Sequence, residues 1–437
     1  MKKILTAALI VAASAQAFAE GYQVNTLSAR QNGMGHTGTA LKLGAESQIF
    51  NPGALGFLDK NLEFKGSVTG IFATASATHE GITYKTNNTA STPMSINLGM
   101  SVYDNLKVGV SFYTPYGSGI RWGEEWPGAV LNESVTLKAF TLQPTVAWRI
   151  LPNLSVGAGA MITWGTVNLD KGLVPASSFN YLLSQMGIPA SYACPPASIN
   201  LNGRSSVTAG INVGVLWDIT DSWSVGFSFR QMMKLNVKSG IASLSYADEM
   251  SQQILQQTLG VLNQSDFSAS MPAPAVYNLG LSYKPLKKLT LAFDAQLTGW
   301  KTYKSLDIEF LNPQLSGFNQ NLPKNYKNSW TFHLGAEYNL TERFDIRAGL
   351  MVDTTPVNMR HYNPETPGAT KIEPAVGFSF SPVKNFSIDA SLLYVAGLKR
   401  DNASCSYEDV LTGHENVFTA DYKVHAINPA IGVTFSF

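Results

Sequence analysis

Charge is scarce in this 437-residue sequence: Asp, Glu, Lys and Arg make up 14% of it, against roughly 25% in soluble globular domains. The 31 basic and 30 acidic side chains nearly cancel, so no basic excess argues for nucleic acid. Two cysteines in the whole chain exclude a disulfide-dense scaffold and a zinc site built on cysteine pairs. The six histidines fall in no HExxH spacing. There is no GxSxG elbow and no phosphate-cradling glycine loop. No catalytic residue, metal or cofactor is therefore assigned. After Ala19 no run of 18 apolar residues occurs, which excludes a membrane-spanning helix in the remainder.

What is present starts with an export signal over residues 1–19. Lys2 and Lys3 precede the apolar run Ile4–Ala13, and Ala17-Phe18-Ala19 offers small residues for cleavage before Glu20. An exported chain that is 45% hydrophobic and lacks spanning helices is either a secreted β protein or a closed barrel in an outer membrane.

Period-two alternation then dominates. Ile427, Ile431, Val433, Phe435 and Phe437 share one face, while Asn428, Ala430, Gly432, Thr434 and Ser436 share the other. The same split recurs from Phe344 to Val352 and from Phe386 to Tyr394. The second face mixes Gly, Ser and Thr with charges, as a watered lumen would.

Fourteen strands are expected near 61–78, 92–103, 106–115, 134–150, 153–170, 205–218, 222–238, 272–285, 288–305, 324–339, 343–356, 370–381, 384–399 and 419–437. Very short connections such as Asp104-Asn105 and Leu286-Lys287 alternate strictly with long loops such as 116–133, 171–204 and 239–271. That is the pattern of an outer-membrane barrel, periplasmic turns on one side and extracellular loops on the other. The barrel is placed at 61–437. Residues 20–60 do not alternate and are rich in small residues; they are expected to plug the barrel from its periplasmic end, a disordered leader being the alternative.

Two outer loops carry more apolar side chains than solvated loops need: Leu182 and Leu183 in one, and Ile254, Leu255 and Leu259 at helical spacing in the other. They either pack on one another as a lid or form a groove that captures apolar ligands. Cys194 and Cys405 both fall in outer loops, and whether they pair is left open.

Inward phase singles out charged candidates. Lys171 and Asp353 share the lumen face of their strands, and Lys327 falls in phase with Thr331, His333 and Glu337. A turn at Leu340–Glu342 would pair Asn339 with Arg343 and set Ser329 opposite Asp353. Lys327 would then lie one diagonal step from Asp353, roughly 7–8 Å between backbones. A lysine there can hold a carboxylate head group, or the two side chains form a purely structural pair.

Several motifs carry a family resemblance. Glu20-Gly21-Tyr22-Gln23, Gly33-Met34-Gly35 and Asn51-Pro52-Gly53-Ala54-Leu55 resemble the N-terminal hatch of the FadL-type outer-membrane transporters. Thr114-Pro115-Tyr116-Gly117 with Trp122 and Trp126-Pro127-Gly128, then Tyr326-Lys327-Asn328-Ser329-Trp330 and Val352-Asp353-Thr354-Thr355-Pro356-Val357, resemble later family signatures. The terminal Phe437 fits a signal for the barrel assembly machinery. The resemblance implies an all-β, fourteen-stranded transmembrane barrel with a hatch, in a Gram-negative outer membrane. It implies passive inward movement of long-chain fatty acids or other hydrophobic molecules, with release sideways near the third strand. It also implies ligand contact by Tyr22 and by the basic side chain at Lys171, and gating at Asn51, Pro52 and Gly53, where Gly53 stands in place of the family's alanine. The expected surroundings are lipopolysaccharide and outer-membrane lipid, and the expected state is a monomer. A barrel hydrolase acting on lipids and a surface adhesin are the alternatives from other classes.

Overall fold

A computed structural model describes residues 21–437; the export signal lies outside the described residues. Fourteen antiparallel strands form a ring. They are β1 (Leu62–Thr69 and Phe72–His79), β2 (Ile82–Lys85 and Met94–Tyr103), β3 (Leu106–Arg121), β4 (Ser134–Leu151) and β5 (Leu154–Gly172). Then come β6 (Ala197–Arg204 and Thr208–Asp218), β7 (Trp223–Arg230 and Met233–Tyr246), β8 (Gln264–Ala273 and Val276–Leu286) and β9 (Leu289–Thr298 and Ser305–Phe310). The ring is completed by β10 (Gln320–Pro323 and Ser329–Thr341), β11 (Phe344–Asp353), β12 (Lys371–Val383), β13 (Phe386–Gly397 and Arg400–Glu408) and β14 (Glu415–Ser436). β1 pairs with β14 from Glu63↔Ser436 to Thr69↔Ala430, so no strand edge is left unpaired by closure.

Burial is inverted relative to a water-soluble protein. On β10, Trp330, Phe332 and Leu334 are 46%, 41% and 55% exposed, while Thr331, His333 and Glu337 on the opposite face are 0%, 4% and 8% exposed. Apolar side chains outside and polar ones inside are the arrangement that a lipid surround requires. No helix among the described residues is long and apolar enough to cross a membrane; the crossing is made by strands.

Several strands run further outward than alternation marks. β3 continues to Arg121, β7 to Tyr246 and β13 to Glu408, and β6 and β8 begin at Ala197 and Gln264. Beyond the lipid the outward face is polar and the apolar side chains turn inward, as Ala403, Cys405 and Tyr407 do in Arg400–Glu408, so the lipid-facing pattern fades while the pairing persists.

Residues 21–58 sit inside the ring and bond to strands around its circumference. Ser95 Oγ on β2 donates to Leu27 O at 2.7 Å, Gln143 Nε2 on β4 to Gln48 O at 2.7 Å, and Asp294 on β9 accepts from Gly38 N at 2.7 Å and Thr39 N at 2.9 Å. Arg30 reaches Glu337 on β10 at 2.8 Å, and Lys65 on β1 reaches Glu46 at 2.9 Å. Asn51 is fully buried. It accepts from Gly53 N at 3.0 Å and donates to Thr39 O at 2.7 Å and Val215 O on β6 at 2.9 Å, tying the segment to itself and to the wall. Pro52 follows at the start of a 3₁₀ turn, Pro52–Phe57. The backbones meet here: a Cβ on Gly53 would lie 2.7 Å from Gly214 O. Alanine at this position would require the turn to move off the wall, which gives a physical reason for glycine.

The two apolar loops fold as helices, Ala176–Gln185 and Glu249–Leu259. The second was expected; the first carries no clean helical period. Leu183, Ile254 and Leu255 are buried in one cluster with Phe179, and Leu182 and Leu259 are half-buried against it. The two helices thus pack on each other as a cap. Cys194 and Cys405 are both free thiols.

Candidate functional site

The inward faces of six consecutive strands, β4 to β9, change character with height. Toward the short-turn end they carry side chains that bond the plug; toward the loops they carry Leu137, Leu169, Leu201, Val237, Phe267 and Ile308, one from each strand, lining one cavity. The cavity has about 770 Å³ of empty space, counted to its open mouth. The surface it presents is almost entirely apolar; the polar side chains that border it are Ser118, Thr166, Ser205, Glu365 and Thr366, with Tyr22.

Tyr22 forms its floor and is fully buried. Its ring meets Trp300 edge-on at 4.8 Å, Tyr303 at 5.8 Å and Tyr116 at 6.1 Å, and its hydroxyl donates to Pro272 O. The chain at Tyr22–Val24 runs along β3: Gly117 N donates to Tyr22 O at 2.8 Å and Val24 N to Pro115 O at 2.9 Å. β3 accepts this extra segment because β2 has left it. The β2–β3 ladder begins at Ser95↔Tyr113, and the β3–β4 register shifts between Tyr113 and Tyr116 around Thr114-Pro115. Pro115 has no N–H for a ladder. The wall at this bulge is therefore closed by residues 22–24 and not by strand pairing with β2.

Lys171 Nζ donates to Gln320 Oε1 at 2.7 Å and interacts electrostatically with Glu365 and Lys324. It stands between Leu169 of the inner cavity and Leu173 of a second, outer apolar cavity that also includes Leu244, Phe310 and Gln320. Lys324 and Glu365, both buried, form an ion pair at the inner cavity's side.

The expected Lys327–Asp353 pair is not formed. The hairpin turns at Glu342-Arg343, with Thr341 opposite Phe344, and a bulge follows between Asn339 and Thr341; Asn339 therefore pairs with Asp345, and Asp353 lies opposite Thr331 instead of Ser329. Asp353 takes Lys371, its neighbour on β12, at 3.2 Å. Lys327 is exposed because the strand begins only at Ser329 and the preceding residues leave its phase; its backbone N–H bonds to Pro356 O. The buried lysine of that stretch is Lys324. Sequence reasoning missed Lys324, Glu365, Trp300 and Tyr303, which lie in irregular segments where no period reports a direction.

The family model for outer membrane protein transport proteins (OMPP1/FadL/TodX) matches residues 10–437. The chain belongs to this family. It is accordingly an outer-membrane β-barrel protein of the Gram-negative type. It is 20% identical over 313 residues to outer membrane protein P1 of Haemophilus influenzae, a match covering 68% of this chain and 64% of that protein. It is 20% identical over 415 residues to the long-chain fatty acid transport protein of Escherichia coli O6:H1, covering 91% of each. The fold matches that of a Pseudomonas aeruginosa FadL homologue with a TM-score of 0.82 at 18% identity, covering 95% of this chain and 100% of that one. The Pseudomonas putida toluene transporter TodX matches with a TM-score of 0.71 at 16% identity, covering 96% and 99%.

Proposed function

We propose that this family member is a passive transporter that admits long-chain fatty acids and other hydrophobic small molecules across the outer membrane, without changing them chemically. The observation that carries the reading is the apolar cavity spanning β4–β9 above a plugged barrel. A lipopolysaccharide layer hinders the entry of apolar molecules, and a water-filled pore offers them no favourable contact. A dry cavity does: each buried methylene contributes about 0.8 kcal/mol, so chain length sets affinity. Relatives whose names specify fatty acid and toluene transport support the same class.

In this reading the outer cavity captures the ligand and passes it along the same strand faces to the inner one. Leu173, just beyond β5, gives way to Leu169 on it, Ile199 to Leu201 on β6, and Phe310 to Ile308 on β9. Release is sideways at the β3 bulge once Tyr22–Val24 withdraw, with the Asn51-Pro52-Gly53 turn as the anchor that keeps the rest of the hatch in place. The Leu182–Leu259 cap bounds the route from outside.

Lys171, at the boundary of the two cavities and bonded only to a neutral amide, is the cation a carboxylate meets on entry. The test is Lys171→Met, followed by initial uptake of a fatty acid and of a neutral hydrocarbon of matched length. A charge-assisted hydrogen bond contributes about 1.5–3 kcal/mol, so acid uptake should fall roughly 10- to 100-fold with hydrocarbon uptake unchanged. Equal loss for both ligands, or none, contradicts the assignment.

A further inference from the structure

Beyond Tyr22 the same extended segment borders a different space. Gln23, Val24 and Asn25 line a third cavity, between the hatch and β7–β10, with about 540 Å³ of empty space. Its wall is polar where the upper one is dry: Arg230, Asn278, Asp294, Gln296, His36 and His333 all face it. Among the described residues, five buried atoms of this wall have no hydrogen-bond partner. They are Gln23 Oε1, both ring nitrogens of His36, Arg230 Nε and Asp294 Oδ1. A buried polar group left unsatisfied costs about 1–3 kcal/mol, so this cavity is built for polar occupants.

The two ions in it differ in commitment. Asp294 holds the hatch: its Oδ2 takes the N–H groups of Gly38 and Thr39, and it lies opposite His333 across the β9–β10 pair. His36 is uncharged at neutral pH, because burial beside His333 pushes it down to about 3. Arg230 is the one lining side chain with a permanent charge of positive sign. No salt bridge joins it to a carboxylate among the described residues. One of its nitrogens, Nη2, donates to Ile49 O at 3.1 Å, and the guanidinium lies 5.9 Å from the Tyr113 ring, with the Tyr116 hydroxyl in hydrogen-bonding reach. Tyr113 and Tyr116 flank the β3 bulge. The free Nε–H therefore sits beside the point where the wall is closed by residues 22–24.

We propose that Arg230 is a seat for the carboxylate of an aliphatic acid that has passed Tyr22, with the head group in the polar cavity and the tail still in the apolar one. The amides of Asn278 and Gln296 lend further donors. Such a site separates acids from neutral hydrocarbons after entry, at the step before release. It rests on the reading that the upper cavity carries hydrophobic ligands.

The test uses the full-length barrel in detergent and a long-chain fatty acid bearing a diazirine next to its carboxyl group, photolysed and mapped by mass spectrometry. The expected adducts lie in 23–25, 276–278 and 294–296. They should fall at least tenfold in Arg230→Gln, persist in Arg230→Lys, and be absent with the matching alcohol probe. Adducts confined to the upper cavity, or equal in Arg230→Gln, overturn the proposal. So do equal adducts from acid and alcohol in the unmodified chain, which decides the matter even where the glutamine variant does not fold. An absence of adducts anywhere in either cavity counts instead against the transport reading.

Discussion

Removing residues 21–58 behind an intact export signal is expected to leave a folded barrel and to raise its ionic conductance in planar bilayers roughly tenfold or more. Barrels of 16–18 strands already enclose an aqueous channel, and a fourteen-stranded ring holds more space than its own side chains fill. In this chain the space is taken by the hatch, bonded to β1, β2, β4, β6, β9 and β10. Apart from the β3 bulge, where residues 22–24 stand in for β2, the strands do not depend on it for their ladders, since closure is made by β1 with β14. The side chains it now covers, among them Asp294 and Glu337, would face water in its absence. Conductance equal to that of the intact protein would show that residues 21–58 do not obstruct the pore.

The second large effect is expected for Arg347→Met. The guanidinium of Arg347, 1% exposed, contacts Glu337 at 2.6 Å, Asp389 at 2.8 Å and Ser379 Oγ at 2.6 Å. Arg30 of the hatch meets the other oxygen of Glu337 at 2.8 Å. This network ties β10, β11, β12 and β13 to the plug. Methionine fills much of the volume but leaves buried Asp389 without its ion-pair partner and Glu337 with one partner in place of two. Removing one member of a buried ion pair costs about 3–5 kcal/mol, read as a lower urea midpoint for unfolding from lipid vesicles. In the hatch-deleted barrel the same substitution should cost about 1 kcal/mol or less, because water then reaches the carboxylates. Equal losses in both backgrounds would contradict the view that the hatch is what buries the network.

Strand number and the direction of each face were legible because a lipid surround imposes one rule on every crossing segment: apolar outside, alternating at period two. Trp330, Phe332 and Leu334 follow it without exception. The rule stops where the lipid stops. Above it, the Arg400–Glu408 extension turns Ala403, Cys405 and Tyr407 inward instead of outward, and the helix at Ala176–Gln185 was invisible as a period. The register of β10 on β11 was misread because the turn lies at Glu342-Arg343 and not at Leu340–Glu342, and a bulge beside it recovers only one residue of the offset. That offset of two keeps the faces but separates Lys327 from Asp353, and the strand's start at Ser329 is what leaves the expected lysine at the surface. Lys171 was found because it lies inside a regular strand, where phase gives direction. Lys324 and Glu365 were not, since they lie in irregular segments; for Arg230, at the end of a regular strand, phase gives the inward direction but not the hatch residues it meets. Residues 21–58 stood apart as a loss of alternation; their contacts with the wall did not, because backbone approaches such as Gly53 to Gly214 leave no pattern along the chain.

The transport reading is tested most directly by uptake of a radiolabelled long-chain fatty acid in cells lacking the gene, restored with either the unaltered sequence or Leu201→Asp. Leu201 is 4% exposed and faces the apolar cavity, so the aspartate places a charge where the alkyl chain would lie. The expected result is uptake restored by the unaltered chain and reduced to the level of the deletion strain by the variant, with equal amounts of folded barrel in both membranes. Uptake no higher with the unaltered chain than without it, or unaffected by Leu201→Asp, would contradict passage of the ligand through this cavity.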